Sequence, residues 1–302
     1  MHSTVGPQLI VSTETGGLGN RIKSWVSATR LSSEAAVHWA VNDNMPASFS
    51  DLFSNDCGVD TVPAAASVHK SWRLLVLPPD EPYLPAGFAT VGAGAHPIVR
   101  GFGKAWWQIR GQQTDRYRYM IFPKQHSRRS TRADGRHIDL EYGRIPKYFR
   151  EIYDPLFRAI QVRPDILSRV DSWAGANLDP QTIGVQVRTW RDDPRRHRKY
   201  HQPAVKRLHR LMNTAGAEAR FFFVSDSGDF IRSMQQAYGN RVIGFPRDTD
   251  RDRSWQSVEG MTEDLIDMLL LSRTKRLFAS YLSTFSETAW WLGGTTAEVE
   301  VF

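Results

Sequence analysis

One cysteine, Cys57, stands among 302 residues. An internal disulfide is therefore impossible, and a reducing compartment fits the chain best. No apolar run approaches the roughly 20 residues that a membrane span requires, so no transmembrane segment is expected. The opening residues 1–6 lack the basic and apolar blocks of a secretory signal. Together these absences point to the cytoplasm. Nucleic-acid modules and basic strands interleaved with aromatics are also missing, so nucleic acid is not an expected partner.

What is present is ample for folding. Hydrophobic residues make up 41% and aromatics 11%, which buries cores and argues against disorder. The length favours two domains, 1–150 and 151–302. The tryptophans can serve as platforms for sugars or simply fill cores. The net charge of +7 is concentrated in two places. Arg128, Arg129, Arg132, Arg136 and Arg144 belong to a stretch from Lys124 to Arg150 that reads as a solvated basic loop. Arg188, Arg191, Arg195, Arg196, Arg198 and Lys199 form the second, whose potential would draw in an anionic nucleotide.

Two α/β halves flank an irregular middle. Residues 8–12 read as a buried strand, followed by a glycine turn and a helix over 18–31 with Ile22, Trp25 and Val26 near one face. Strands are expected at 35–41, with Val37, Trp39 and Val41 on one side, and at Arg73–Leu77. Prolines, glycines and basic residues prevail from Glu81 to Arg144, so long loops that bind the acceptor are expected there. The second half is regular. Helices at 151–160 and 164–174 precede strands at 182–188, 220–225, 241–245, 276–280 and 297–302. Helices at 203–215, 229–238, 262–272 and 283–292 alternate with those strands. Such alternation implies a parallel sheet covered on both faces. The fold class is α/β, with two Rossmann-like domains facing across a cleft.

Five segments carry the chemistry. Thr15-Gly-Gly-Leu-Gly-Asn-Arg21, with Gly17, Gly19, Asn20 and Arg21, lies between a strand and a helix. It serves either as a close-approach binding loop at a helix N-terminus or as a plain tight turn. In Gln186-Val-Arg188, alternation sends Gln186 and Arg188 to one face. A strand-end arginine there binds phosphate with its fork of donors, or else pairs with Asp192, Asp193 or Asp226. Ser225-Asp226-Ser227 ends a strand and either caps the next helix or binds a ligand. Asp267 sits among apolar residues of the 262–272 helix, facing solvent or held for a ligand. Ser283-Thr284-Phe285-Ser286 opens a helix whose dipole favours phosphate.

These segments, in this order, resemble the GDP-fucose-using fucosyltransferases of the nodulation-factor, core α-1,6, α-1,2 and protein O-linked types. Gly16 to Arg21 is similar to that group's N-terminal glycine loop. Gln186-Val-Arg188 resembles its His-x-Arg, whose arginine contacts the donor β-phosphate, with glutamine in place of histidine. Asp267 to Ser272 resembles the stretch whose aspartate takes the guanine edge, and Ser283 to Ser286 the phosphate turn. The likeness covers about 183–291 and the first 35 residues. It implies a GT-B-like fold and an inverting transfer, without metal or other cofactor, of fucose or another sugar from GDP to a glycan, peptide or natural-product hydroxyl. Arg188 would then be the catalytic donor. Glu14, Asp115 and Asp192 are candidates for the general base, none singled out.

Three other readings stand beside it. Asp248-Thr-Asp250 matches the Asp-x-Asp of metal-dependent glycosyltransferases, but Arg247, Arg251 and Arg253 would compete for its carboxylates, and a solvated loop is expected. His197 and His201 have zinc-like spacing without a glutamate between them. Gln186 also suits a non-catalytic nucleotide-binding protein of the same fold.

Overall fold

A computed structural model describes residues 9–12, 17–31, 35–56, 67–70, 147–281 and 283–302. The strand expected at Arg73–Leu77, the basic stretch up to Arg144, Glu14 and Asp115 lie outside the described residues.

The N-terminal part places strand β1 (Leu9–Ser12) between β2 (Ala35–His38) and β3 (Ser67–Lys70), all parallel. Between β1 and β2 runs helix α1 (Leu18–Leu31). Leu18, Ile22, Trp25 and Val26 fall at the spacing of one helical stripe and are buried. β2 ends sooner than its sequence suggests. Val37 and Trp39 are buried as expected, but Val41, beyond the strand, is 48% exposed. A short helix, α2 (Phe49–Leu52), follows. Its start is fixed by a capping box: Asp51 donates its backbone N–H to Ser48 Oγ at 3.3 Å, and Ser48 N–H donates to Asp51 Oδ2 at 2.7 Å. It sets Phe49 against Trp25 and Trp39, with ring centroids 4.9 and 5.5 Å away, so these tryptophans fill core.

Helices α3 (Lys147–Arg158) and α4 (Pro164–Asn177) come next, the second opening on Pro164, which needs no donor there. The sequence division at residue 150 falls inside α3. The rest builds a parallel sheet in the order β6-β5-β4-β7-β8. Its strands are β4 (Ile183–Val187), β5 (Phe221–Ser225), β6 (Val242–Ile243), β7 (Arg276–Ala279) and β8 (Glu298–Val301). The intervening helices include α5 (Pro194–Arg196), α6 (Gln202–Thr214), α7 (Gly228–Tyr238), α8 (Val258–Ser272) and α9 (Thr284–Leu292). A π-helical turn, His197–His201, joins α5 to α6, and a 3-10 turn, Arg251–Gln256, precedes α8.

Both faces of this sheet are covered. Val185, Phe221, Phe223 and Phe278 pack with Leu208 and Met212 of α6 and Met234 of α7. Phe222, Val224, Leu277 and Ala279 point the other way, toward Ile166, Leu265 and Trp291. That second cluster also contains Trp25, Trp39 and Phe53, so the described parts of both halves share a core. α8 starts earlier than expected because Ser257 caps it, accepting from Gly260 N–H at 2.9 Å.

Candidate functional site

The strand order decides where a site can form. From β4 the chain moves outward to β5 and β6, then returns to β7 on the other flank. The C-terminal ends of β4 and β7 therefore border the switch point, where open α/β sheets bind ligands. Arg188 directly follows β4, and Ser280 directly follows β7. Arg188 N–H donates to Ser280 Oγ at 2.8 Å, while Ser280 N–H donates to Gln186 O at 3.0 Å. Gly184 and Gln186 share one face of β4. α8 lies close on that face, because a Cβ at Gly184 would stand 2.6 Å from Thr274 Oγ1 and 3.1 Å from Leu271.

A cavity of about 390 Å³ opens at this end. Gly17, Leu18 and Asn44 line it from the N-terminal part; Gln186, Arg188 and Asp226 line it from the strand ends. Arg247, Arg251, Asp264, Asp267 and Trp255 line it from the segment ahead of and within α8, with Phe285 from α9. Arg188 is exposed, and its guanidinium lies 4.2 Å over the Trp190 ring. The aspartates that offered it an internal partner have other bonds. Asp226 Oδ1 accepts from Thr189 N–H at 2.8 Å, Asp192 lies 3.6 Å from Arg191, and Asp193 lies 3.2 Å from Arg196.

Opposite in character is the buried cluster on α8. Arg247 donates to Glu263 at 3.1 Å, to Asp264 at 2.8 Å and to Asp267 at 3.0 Å. Arg251 shares the same Asp267 oxygen. Burial alone would raise the Glu263 pKa. Hydrogen bonds from Thr249 Oγ1 and Asp248 N–H, with the Arg247 charge, hold it below the usual carboxylate value. Asp264 moves the other way, raised by burial that outweighs Arg247 and Ser254.

Two residues of the cavity lining each carry an acceptor without a bond. Asp267 Oδ1 and Gln186 Oε1 are buried and have no hydrogen-bond partner, although both residues line the space. An unmet buried polar atom costs about 1–3 kcal/mol. A ligand presenting N–H or O–H groups would remove that cost.

The structure thus brings Gly17, Gln186, Arg188, Asp226, Asp267 and Phe285 to one cavity. Other candidate residues form the packing beside it. Ser283 caps α9, accepting from Ser286 N–H at 3.4 Å, and Ser286 Oγ donates back to Ser283 O at 3.1 Å. Gly19 meets α9 so closely that a Cβ would stand 2.7 Å from Thr284 O. Thr288 Oγ1 donates to Gly19 O at 3.1 Å and to Thr284 O at 2.8 Å. Glycine loop and hydroxyl-rich turn are therefore one packed unit. Asn20 and Arg21 lie away from the cavity lining. Arg21 is fully buried, donates to Ala40 O and sits 5.9 Å from the Trp39 ring; burial lowers its pKa to about 10.

Of the Asp226 segment, Ser227 caps α7 and only Asp226 and Ser225 reach the cavity. Asp248 and Asp250 are exposed and outside its lining, and Asp250 bonds Asp252 N–H at 2.9 Å. Arg247 and Arg251 bind the carboxylates of α8 instead of these two. The rings of His197 and His201 are 4.7 Å apart, and no cluster of three metal-ligating side chains occurs among the described residues. Burial, then His197, lowers the His201 pKa.

Sequence reasoning missed the arginine–carboxylate cluster and the buried pair of Lys23 Nζ with Glu287 Oε1, 2.6 Å apart, that ties α1 to α9. A signal for the first was present: Glu263, Asp264 and Asp267 share one helix side by i,i+3 and i,i+4 spacing, and Arg247 and Arg251 precede them.

No protein-family model matches the chain, and no curated protein matches it. Solved structures do. The NodZ α-1,6-fucosyltransferase soaked with GDP-fucose is 18% identical, with 95% of this chain and 93% of that chain covered, at a TM-score of 0.50. The fucosyltransferase NodZ from Bradyrhizobium also has 18% identity and a TM-score of 0.50, over 94% of this chain and 92% of that chain. Arabidopsis thaliana FUT1 follows at 17% identity and a TM-score of 0.49, over 98% of this chain and 70% of that one. The chain therefore has the α/β, GT-B-like fold of the NodZ fucosyltransferase. Among the described residues no helix is long and apolar enough to cross a membrane.

Proposed function

We propose that the protein is a glycosyltransferase that moves a sugar, fucose first among the candidates, from a GDP-sugar to an acceptor hydroxyl. The observation that carries this reading is Arg188: a cation at the sheet's switch point, lining a cavity whose wall also holds the glycine loop and Asp267. In the reaction the acceptor oxygen attacks the anomeric carbon from the face opposite the diphosphate, inverting it, and the bond to the leaving phosphate oxygen breaks. Charge grows on that oxygen, and a preorganised guanidinium in a partly dry cavity stabilises it. Asp267 Oδ1 and Gln186 Oε1 supply acceptors for the N–H edge of the base. The transfer as proposed needs no metal ion. The acceptor proton passes to a base; of the three candidates, Asp192 is the one among the described residues, and it borders the cavity. The acceptor class is a glycan, a peptide or a natural product.

Thermal-shift measurements with GDP, ADP, UDP and their sugars test this directly, together with release of GDP from GDP-fucose. Preferential stabilisation by GDP and turnover with an acceptor are expected. GDP binding without turnover over a broad acceptor panel would turn the reading to a non-catalytic nucleotide-binding protein. A preference for UDP with a manganese requirement would turn it to Asp248 and Asp250.

A further inference from the structure

The segment that follows β4 carries more positive charge than the cavity uses. Arg195, Arg198 and Lys199 are exposed and, with Asp193 and Pro194, line one side of a second, open concavity of about 750 Å³. The two spaces lie close together, since Asp192 lines the first and its neighbour in sequence, Asp193, the second. The acids at hand are engaged: Asp192 with Arg191, and Asp193 with Arg196, whose N–H it also caps at 3.0 Å. Among the described residues no acceptor pairs with Arg195 or Arg198, and Lys199 lies 4.9 Å over the Tyr200 ring.

The backbone that carries these cations is anchored. His197 Nδ1 lies 2.7 Å from Thr189 O, anchoring the π-helical turn to the residue after Arg188. Arg196 lies 4.9 Å over the same Trp190 ring that supports Arg188. Trp190 itself has φ 55, a left-handed conformation that is strained for a bulky side chain and persists only where its surroundings enforce it. Exposed arginines with no acidic partner, carried on an anchored turn beside a cavity, suit an anion, because each guanidinium presents a planar fork to carboxylate, phosphate or sulfate.

We infer that this second concavity binds an acidic group, phosphate, sulfate or carboxylate, on a glycan acceptor. The word acceptor rests on the transferase reading above; the anion site does not.

Calorimetry on the full chain separates the two. The probes are GDP, neutral chitotetraose, sulfated chitotetraose, tetragalacturonate, a phosphorylated oligosaccharide and inorganic phosphate. An acidic oligosaccharide is expected to bind more tightly than its neutral counterpart, and which one binds identifies the anion. The double variant Arg195→Gln/Arg198→Gln should weaken that binding by about tenfold or more and weaken GDP binding far less. Equal affinity for neutral and acidic forms, or an unaltered double variant, overturns the inference. So does equally tight, variant-sensitive binding of inorganic phosphate alone, of phosphatidylserine vesicles or of single-stranded DNA. Absence of GDP binding in the unmodified protein would sink the transferase reading, and variant-sensitive binding of the acidic oligosaccharide would still stand.

Discussion

Two groups of arginines border the cavity and its rim, in contrasting electrostatic conditions. Arg247 and Arg251 are surrounded by Glu263, Asp264 and Asp267, so their charge is spent within the protein. Arg188 rests on the Trp190 ring in the open, and Arg195 and Arg198 stand exposed with no acidic partner among the described residues. A buried charge must be compensated where it lies, or folding bears its desolvation. A charge at a mouth stands where an incoming anion can reach it. The same side chain thus belongs to a neutralised cluster in one group and to the exposed rim in the other.

The largest effect should come from breaking the buried group. Arg247→Met leaves Glu263 and Asp267 short of a cation in a site from which water is mostly excluded. A loss of about 3–5 kcal/mol in unfolding free energy is expected in denaturant titrations. A loss below about 1 kcal/mol would mean that the cluster is not a structural unit. Arg188→Ala should do the opposite, leaving the melting temperature nearly unchanged while turnover falls by about 10²–10³. An Arg188→Ala protein with undiminished sugar transfer would remove the reason for placing the donor phosphates at the switch point.

The contrast between these groups was only half visible in the sequence. Arg188 was legible because its position follows from strand period and chain order alone: a β-branched run, an odd–even face and a following loop. Most of the C-terminal α/β alternation was legible for the same reason, as was α1, where Leu18, Ile22, Trp25 and Val26 mark one stripe. Of the α8 cluster, only the acidic helix side was. Arg247 to Asp267 closes through a 3-10 turn at 251–256 whose course no periodicity announces, and sequence proximity alone matches Arg247 and Arg251 to Asp248 and Asp250. Nor could local pattern show that Gly19 packs on Thr284, or that Arg21 turns inward to Ala40, because both depend on elements far away in the chain.

The exposed group can act on a ligand only if the wall opposite it is fixed, and Gly19 fixes that wall. A methyl there would meet the Thr284 carbonyl at 2.7 Å, a backbone atom that cannot swing aside. Gly19→Ala should therefore force α1 from α9 and destabilise the protein by about 1–3 kcal/mol. GDP binding should weaken with it, because Gly17 and Phe285 line the same cavity from these two elements. Unchanged stability and unchanged GDP affinity in this variant would show that the glycine loop has slack.

The smallest expected effect sharpens the buried side of the comparison through pH. Glu263 is held below its ordinary 4.5, so it contributes stability above that value and loses it as pH falls through its folded pKa. Asp264 is raised above its ordinary 3.8, so its contribution is full below that value and declines as pH rises through its folded pKa. The two oppose each other. Glu263→Gln should flatten the fall in melting temperature on the acid side, and Asp264→Asn should steepen the rise in melting temperature with pH above about 4. Melting curves from about pH 3 to 6 on both variants decide it. Matching slopes in the two would mean that the carboxylates share their arginine equally, and the opposed roles assigned to them would fall.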